Sequence, residues 1–185
     1  MSTPFIRLMK QEGLRDEVIR TFDVYYQKLA NGEKGLISED EIKPPSEKNL
    51  IDYQQIKHLS RTSLLKNTVV IKLNGGLGTS MGLSKAKSLL PVKNNLNFLD
   101  IISRQVLTLR SISGYNVLLL FMNSFNTEAD TLKYLEKYPD LSKQDFPLSF
   151  LQNKFLRIRQ DNLLPYENKE RKLMWNPPGH GDIYT

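Results

Sequence analysis

The chain has 185 residues, no cysteine and a formal net charge of +6. This length fits one domain with an appendage, and a hydrophobic content of 39% suffices for a packed core. The lack of cysteine excludes a disulfide scaffold, a cysteine-ligated metal site and a cysteine nucleophile.

The positive charge favours an anionic ligand, such as a nucleotide or a sugar phosphate. The basic residues are spread along the sequence, apart from a short run at 168–172. Neither a zinc-finger nor a helix-turn-helix signature is present, so we predict no nucleic-acid partner.

The N-terminal stretch is charged from Arg7 onward and lacks the apolar core of a signal peptide. The longest apolar run, 117–122, has the length of a strand and falls far short of the roughly 18 residues of a membrane span. The sequence therefore predicts a cytoplasmic protein without a membrane partner.

Residues 1–62 are predicted to form a helical N-terminal segment with polar loops. Apolar side chains recur at three- and four-residue steps within 13–30, which predicts one amphipathic helix. Its apolar face would consist of Leu14, Val18, Phe22, Tyr25, Tyr26 and Leu29. Ser38 and Glu41 have capping-box spacing, which predicts a short helical turn that Pro44-Pro45 ends.

Strands and helices alternate from Thr68 onward, and residues 63–185 are predicted to form a second unit. The order is a strand at 68–73, a helix at 98–110, a strand at 115–122, a helix at 126–138 and a strand at 147–152. Asn97 is the expected N-cap of the first helix, and Leu132 and Leu135 are expected to face inward on the second. Short connections between such elements predict an α/β fold with a parallel sheet.

The stretch "VVIKLNGGLGTSMGLSKAKSLLPV", 69–92, places glycines directly after the first predicted strand. Open α/β sheets bind ligands at the carboxyl ends of their strands. Without Cβ atoms, Gly75, Gly76 and Gly78 let a ligand approach the backbone, whose N–H groups can then surround an anion. Lys85 and Lys87 follow with positive charge. This combination is typical of a nucleotide-binding loop.

Two common phosphate-binding motifs fail on spacing. A Walker A loop requires Gly-Lys five residues after its first glycine, but Leu83 occupies that place after Gly78. The dinucleotide fingerprint Gly-x-Gly-x-x-Gly would begin at Gly76, but its last position is Met81 and the next glycine comes one residue late. Spacing alone leaves open a nucleotide-binding loop of another kind or a structural glycine-rich turn.

Three segments, in order, resemble one known family. "LNGGLGTSMG" followed by a lysine is similar to the signature of the eukaryotic-type UTP–glucose-1-phosphate uridylyltransferases, also called UDP-glucose pyrophosphorylases. "MNSFNT" at 122–127 and "PPGHGD" at 177–182 resemble two later segments of that family. The resemblance implies a nucleotidyltransferase-type, Rossmann-like α/β fold with a mostly parallel sheet, preceded here by N-terminal helices.

The resemblance also implies an activity and a site. The family joins UTP and glucose 1-phosphate into UDP-glucose and pyrophosphate with Mg²⁺. The resemblance assigns nucleotide contacts to Leu73, Asn74, Gly75, Gly76, Lys87, Met122, Gln152 and Gly179. Gln152 would read the uracil, and Lys87 would contact the triphosphate as the catalytic residue. His180 would contact the sugar phosphate, and no metal ligand is expected in this chain.

These residue types suit the transfer. A sugar-phosphate oxygen attacks the α-phosphorus of UTP, and pyrophosphate leaves. Because the attacking oxygen is already anionic, no strong base is required. The protein must position two anions, shield their repulsion and stabilise the charge of the transition state, which a glycine loop and a lysine can do.

The chain departs from the family pattern in several places. Where the family has Gly-Pro before its lysine, this chain has Lys85-Ala86, which removes a fixed φ and adds a cation. The segment after Gln152 lacks the proline of the family's Gln-Ser…Pro-Arg pattern. Because family members are more than twice as long, the sequence predicts a truncated catalytic domain with an incomplete sheet.

The alternatives come from different functional classes. A relative that acts on N-acetylglucosamine 1-phosphate or another sugar phosphate usually has an arginine in the glycine loop, where this chain has Ser80 and Met81. A non-catalytic fragment that only binds UTP is a second alternative. A nucleic-acid binder, whose affinity would fall steeply with salt, is a third.

Overall fold

A computed structural model describes residues 2–78, 82 and 85–185 of the chain. Ser80, Met81 and Leu83, which enter the motif comparisons above, lie outside the described residues. The helices are α1 (Thr3–Gln11), α2 (Asp16–Ala30), α3 (Tyr53–Ile56), α4 (Phe98–Ser113) and α5 (Glu128–Leu135). The strands are β1 (Val69–Asn74), β2 (Pro91–Lys93), β3 (Leu96–Asn97), β4 (Leu118–Asn123), β5 (Ser149–Leu151), β6 (Phe155–Leu156) and β7 (Trp175–Asn176).

A parallel three-stranded sheet in the order β1-β4-β5 forms the centre of the α/β part, which confirms the predicted fold class. Helix α4 precedes β4 and helix α5 precedes β5, as the alternating pattern predicts. In the register of the sheet, Asn74 lies beside Asn123, and Asn123 lies beside Leu151. The three strands therefore end together, at the edge where the glycine loop begins.

A short hairpin of β2 and β3 leads into α4. Its turn residues, Asn94 and Asn95, have φ angles of 51° and 59°, a left-handed conformation that asparagine tolerates better than most residues. Asn97 then caps α4, as predicted, and forms a full capping box with Asp100.

One hydrophobic core joins the N-terminal helices to residues 153–176, which we call the arm. The aromatic rings of Phe5, Phe22 and Tyr26 pack together, and Phe155 of the arm meets Phe22 edge-on at 5.3 Å. The Tyr26 hydroxyl also donates to the Leu163 carbonyl at 3.1 Å. Helices α1 and α2 are therefore held by a segment far from them in sequence.

A second core lies between the sheet and its helices. Its buried members are Leu99, Val106, Leu119, Phe121, Leu135 and Leu141. Residues 31–64, which connect α2 to the segment before β1, are exposed throughout and contain only short helical turns. Within the described residues, no helix has the length and apolar character needed to cross a membrane.

Several details differ from the sequence predictions. Helix α1 was not predicted, although Phe5 and Met9 bury its inner face completely. Helix α2 begins at Asp16 because Gly13, at φ 77°, ends the preceding turn. The turn at Glu39–Glu41 exists, but the Ser38 side chain does not cap it.

The inward faces of two helices are narrower than predicted. Tyr25 is 62% exposed and Leu29 is 43% exposed, so the buried stripe of α2 is limited to Val18, Ile19, Phe22 and Tyr26. Leu132 of α5, at 38% exposure, does not face the core, whereas Leu135 does. Each residue that was wrongly predicted to face inward lies at the edge of the apolar face of its helix. Sequence periodicity does not show whether a side chain at that edge contacts the core or the solvent.

A buried charged cluster ties α4 to the end of α5. Asp100, fully buried, accepts hydrogen bonds from Tyr134 and Tyr138 and a 2.5 Å contact from Lys137 Nζ. Burial by itself raises the pKa of Asp100, but the bonds from Lys137, the Asn97 backbone and the two tyrosines outweigh it and hold that pKa well below its usual range. Asp100 is therefore a stabilising carboxylate at neutral pH.

Replacing Asp100 by asparagine is expected to lower the free energy of unfolding by about 2–3 kcal/mol near neutral pH, because the charged hydrogen bonds are lost. A depressed folded-state pKa means that this stabilisation is present above the unfolded pKa of about 3.9 and is lost as the pH falls through the folded value. Denaturant unfolding of both proteins, between neutral and strongly acidic pH, measures the difference. It should be constant near neutrality and shrink in acid.

The matched control is Asp140→Asn, because Asp140 pairs with Lys143 at the surface with 60% of its side chain exposed. Its effect should stay below about 1 kcal/mol, as for other exposed pairs. An equal loss of stability in the two variants would contradict the assigned role of Asp100.

Candidate functional site

The glycine loop leaves β1 and returns antiparallel to itself. The Gly78 N–H donates to the Lys85 carbonyl at 3.1 Å, and the Lys87 N–H donates to the Gly76 carbonyl at 3.1 Å. Ala86, between the two lysines, is fully buried. Lys85 and Lys87, on either side of it, are exposed. The returning segment therefore presents two cations, while its backbone is hydrogen-bonded to Gly76 and Gly78.

Gln152 lies directly against the start of this loop. It follows β5, and its N–H donates to the Asn123 carbonyl at 2.8 Å. A Cβ atom on Gly75 would lie only 1.6 Å from Gln152 Nε2, so the carboxamide occupies the space that any other residue at 75 would need. Gly75 is thus required by a close approach of a side chain.

The carboxamide of Gln152 is buried but incompletely bonded. The residue is 7% exposed, and its Oε1 atom has no hydrogen-bond partner among the residues that the structure describes. Burying an unpaired acceptor costs roughly 1–3 kcal/mol, and such atoms in native proteins commonly await a ligand or a water. Gln152 is therefore a candidate for base recognition on geometric grounds.

A cleft of about 400 Å³ opens beside the loop. The described residues that line it are Lys72, Leu73, Asn74, Gly76, Lys87, Ser88, Leu90, Phe98 and His180. It brings together Lys87 of the returning loop and His180 of the last turn, which are distant in sequence. A concave surface with a few convergent polar groups is what a small-molecule site requires.

The cleft contains part of the set proposed from the sequence. Leu73, Asn74, Gly76, Lys87 and His180 line it, whereas Gly75, Met122, Gln152 and Gly179 are not among the described lining residues. Met122 is 1% exposed and lies beside Leu73 in the sheet register.

Gly179 comes directly before His180 in the sequence. Its φ is 116° and its ψ is −179°. That region of backbone space is essentially restricted to glycine. The residue therefore shapes the turn that carries His180.

Asn74 is held from behind by a buried polar network. Its Nδ2 donates to Asn123 Oδ1 at 2.7 Å and to Thr131 Oγ1 at 2.9 Å. The Thr127 hydroxyl donates to the Asn74 carbonyl at 2.9 Å. Because both amide protons point inward, the Asn74 side chain supports the loop and could only accept a hydrogen bond from a ligand.

Ser88 was not identified from the sequence. It is 6% exposed, lines the cleft next to Lys87, and its hydroxyl has no partner within the described part of the chain. Its position directly after the predicted lysine was the available signal.

The two aromatic residues nearest to His180 on either side differ in burial. Tyr184 is 93% exposed, whereas Trp175 packs against the first core.

A larger cleft, of about 500 Å³, lies between α2 and the arm. Its described lining is mostly aromatic and apolar, with Arg157 as its one charged side chain. Among the described residues no group of three or more histidine, aspartate or glutamate side chains could hold a metal ion. We therefore place the candidate site at the glycine-loop cleft.

A family model and curated protein sequences show which proteins this chain is similar to. The family model described as UTP–glucose-1-phosphate uridylyltransferase matches residues 19–185. A protein of that name from Solanum tuberosum is 40% identical over 161 residues, which cover 83% of this chain and 33% of the relative. UTP–glucose-1-phosphate uridylyltransferase 2 of Dictyostelium discoideum is 36% identical, covering 95% of this chain and 36% of its own length.

Solved structures give the same picture. A UDP-glucose phosphorylase from Trypanosoma brucei superposes with a TM-score of 0.86 at 38% identity, covering 99% of this chain and 39% of that protein. A variant UDP-glucose pyrophosphorylase from Leishmania major, solved with UDP-glucose, has a TM-score of 0.82 at 35% identity and covers 99% of this chain. The chain spans about two fifths or less of the length of these relatives.

Adding a methyl group at Gly75 (Gly75→Ala) is expected to lower the free energy of unfolding by about 1–2 kcal/mol, because the new Cβ overlaps the Gln152 carboxamide. Gly76→Ala is the matched control, since its Cβ would meet only Lys87 Cδ at 3.9 Å. Combining Gly75→Ala with Gln152→Ala should recover much of the loss. Denaturant unfolding measures all three, and equal effects of the two single glycine variants would contradict the close contact.

Proposed function

This chain belongs to the UTP–glucose-1-phosphate uridylyltransferase family, and we propose that its glycine-loop cleft binds UTP and glucose 1-phosphate for the transfer that forms UDP-glucose and pyrophosphate. In this proposal the chain supplies the uracil-reading and triphosphate-binding part of the family's site. The observation that carries it is the Gln152 carboxamide, buried against Gly75 with a free acceptor beside a cleft that contains Lys87 and His180.

The free Oε1 atom of Gln152 suits a uracil ring. Uracil presents one N–H donor flanked by two carbonyl acceptors on its pairing edge, so a carboxamide can accept from that N–H and donate to a carbonyl. Asn74, Gly75 and Gly76 offer backbone groups alongside it, and Met122 would pack behind Leu73. Gly75 permits the base edge and the carboxamide to meet without a side chain between them.

Lys87 and His180 suit the phosphate end of the same ligand. Lys87 is exposed at the cleft. Its backbone N–H donates to the Gly76 carbonyl, which fixes the point from which the lysine side chain extends. Positioned there, it would offset the repulsion between the sugar phosphate and the triphosphate and stabilise the charge that develops at the α-phosphorus. His180, which also lines the cleft and follows Gly179, would orient the sugar phosphate.

Magnesium is the group that the family's chemistry implies. Mg²⁺ usually retains several waters and binds through substrate phosphates with one or two carboxylates. Among the described residues no group of three or more acidic or imidazole side chains could hold a metal ion, so the triphosphate would have to supply most of the ligands. The residues of this chain would act on the nucleotide itself.

Two variants separate the ends of the proposed nucleotide site. Gln152→Ala is expected to weaken UTP binding roughly three- to tenfold, the cost of one or two hydrogen bonds, and to leave binding of inorganic triphosphate unchanged. Lys87→Ala is expected to weaken both ligands, because it removes a charge that both contact. Calorimetric titration measures the four affinities. Loss of inorganic triphosphate binding in the Gln152 variant would argue against base recognition.

Gln105→Ala and Lys93→Ala are the matched controls, since both residues are exposed and lie outside the cleft lining. Neither should change either affinity.

Turnover is tested by UDP-glucose formation from UTP, glucose 1-phosphate and Mg²⁺. Lys87→Ala is expected to slow the transfer about 10²- to 10³-fold, as does loss of one charge-stabilising donor in other enzymes. UTP binding without product, by a folded chain, would favour the non-catalytic UTP-binding alternative. Product formed equally well with and without Lys87 would refute its catalytic role.

A further inference from the structure

Asp182 makes most of the side-chain hydrogen bonds that hold the loop carrying His180. Asp182 Oδ2 accepts from the Asn153 backbone N–H at 2.5 Å, and Oδ1 accepts from Asn153 Nδ2 at 2.9 Å. Both carboxylate oxygens therefore engage one residue. The only other side-chain hydrogen bond that the described residues make to 177–185 is a 3.4 Å contact from Arg15 to the Thr185 carbonyl.

Asn153 directly follows Gln152, and Asp182 lies two residues after His180. The paired hydrogen bonds thus connect the strand end that carries Gln152 with the turn that carries His180. Around His180 the backbone forms a single 3-10 turn, His180–Tyr184, which begins after Gly179 in its glycine-specific conformation. Such a turn has few internal bonds, so an external tie must fix its place.

We propose that Asp182 is a positioning residue which, through Asn153, sets the span between the uracil-reading Gln152 and the sugar-phosphate-binding His180. This inference rests on the proposed function of the cleft. Asp182 is not among the described residues that line the glycine-loop cleft, and each of its carboxylate oxygens accepts a hydrogen bond from Asn153. Its role is to hold two distant recognition groups at the separation that one long ligand requires.

The proposal distinguishes short from long ligands. In the proposed arrangement UMP needs only Gln152 and the neighbouring glycine loop, whereas UDP-glucose must also reach His180. Asp182→Ala removes both acceptor oxygens, so neither hydrogen bond from Asn153 can form. We expect this variant to weaken UDP-glucose at least about tenfold, equivalent to 1.4 kcal/mol, while UMP changes less than about twofold.

A reciprocal exchange tests the contact itself. Asn153→Asp alone opposes two carboxylates and should weaken UDP-glucose as well. Asn153→Asp combined with Asp182→Asn restores a donor opposite an acceptor at both bonds and should recover most of the UDP-glucose affinity. Asp161→Asn is the matched control, because Asp161 lies in the arm, as Asn153 does, and among the described residues its side chain pairs with the exposed Arg159.

Calorimetric titration of UMP and UDP-glucose, with the melting temperature of each variant, reads out the test. Selective loss of UDP-glucose affinity with rescue by the double exchange supports the positioning role. Equal weakening of UMP and UDP-glucose, or no rescue, overturns it while leaving the proposed function intact. Failure of the unsubstituted chain to bind any uridine nucleotide overturns the proposed function and this inference together.

Discussion

The buried amide of Asn123 joins the ends of the three parallel strands, and the candidate site depends on that junction. Its Oδ1 accepts from Asn74 of β1, its Nδ2 donates to Ser149 of β5, and its carbonyl accepts from the Gln152 N–H. Side-chain bonds in a dry interior are stronger than in water and fix the relative placement of the strands they join. Gln152 can lie on Gly75 because β4 holds the two flanking strands at a constant spacing.

The same interior explains where the fold leaves polar groups without partners. Three buried side-chain atoms lack a hydrogen bond among the described residues, and they belong to Ser88, Ser103 and Gln152. Two of the three adjoin the glycine loop, whereas Asp100, equally buried, is bonded on both of its oxygens. The bonded and the unbonded polar groups thus lie in different parts of the α/β unit. The Asp100 cluster secures α4 to α5, whereas Ser88 lines the cleft and Gln152 lies against Gly75.

The parts of this arrangement that sequence could predict are those written in local patterns. The glycines after β1, the Asn97 cap and the nearly continuous apolar run of β4 each follow from residue chemistry and spacing. What sequence could not provide is contact between distant segments. Nothing near Phe5 indicates that it will join a buried cluster with Phe22 of α2 and Leu156 of the arm, so α1 was missed. Likewise, the contact of Gln152 with Gly75 and the bonds between Asn153 and Asp182 join segments that only the folded chain brings together.

Helices α1 and α2 do not pack against the part of the chain that follows them directly in sequence. Helices α1 and α2 are attached to the α/β unit covalently through residues 31–64, yet they pack on the arm, which follows β5. Residues 31–64, which form the linker, contribute no buried side chain. Even the apolar residues Leu36 and Ile37 are 81% and 71% exposed. The linker therefore acts as a tether: it raises the local concentration of the helices without specifying where they dock. A break in this tether would turn an intramolecular association into a bimolecular one and leave the docking surface unchanged.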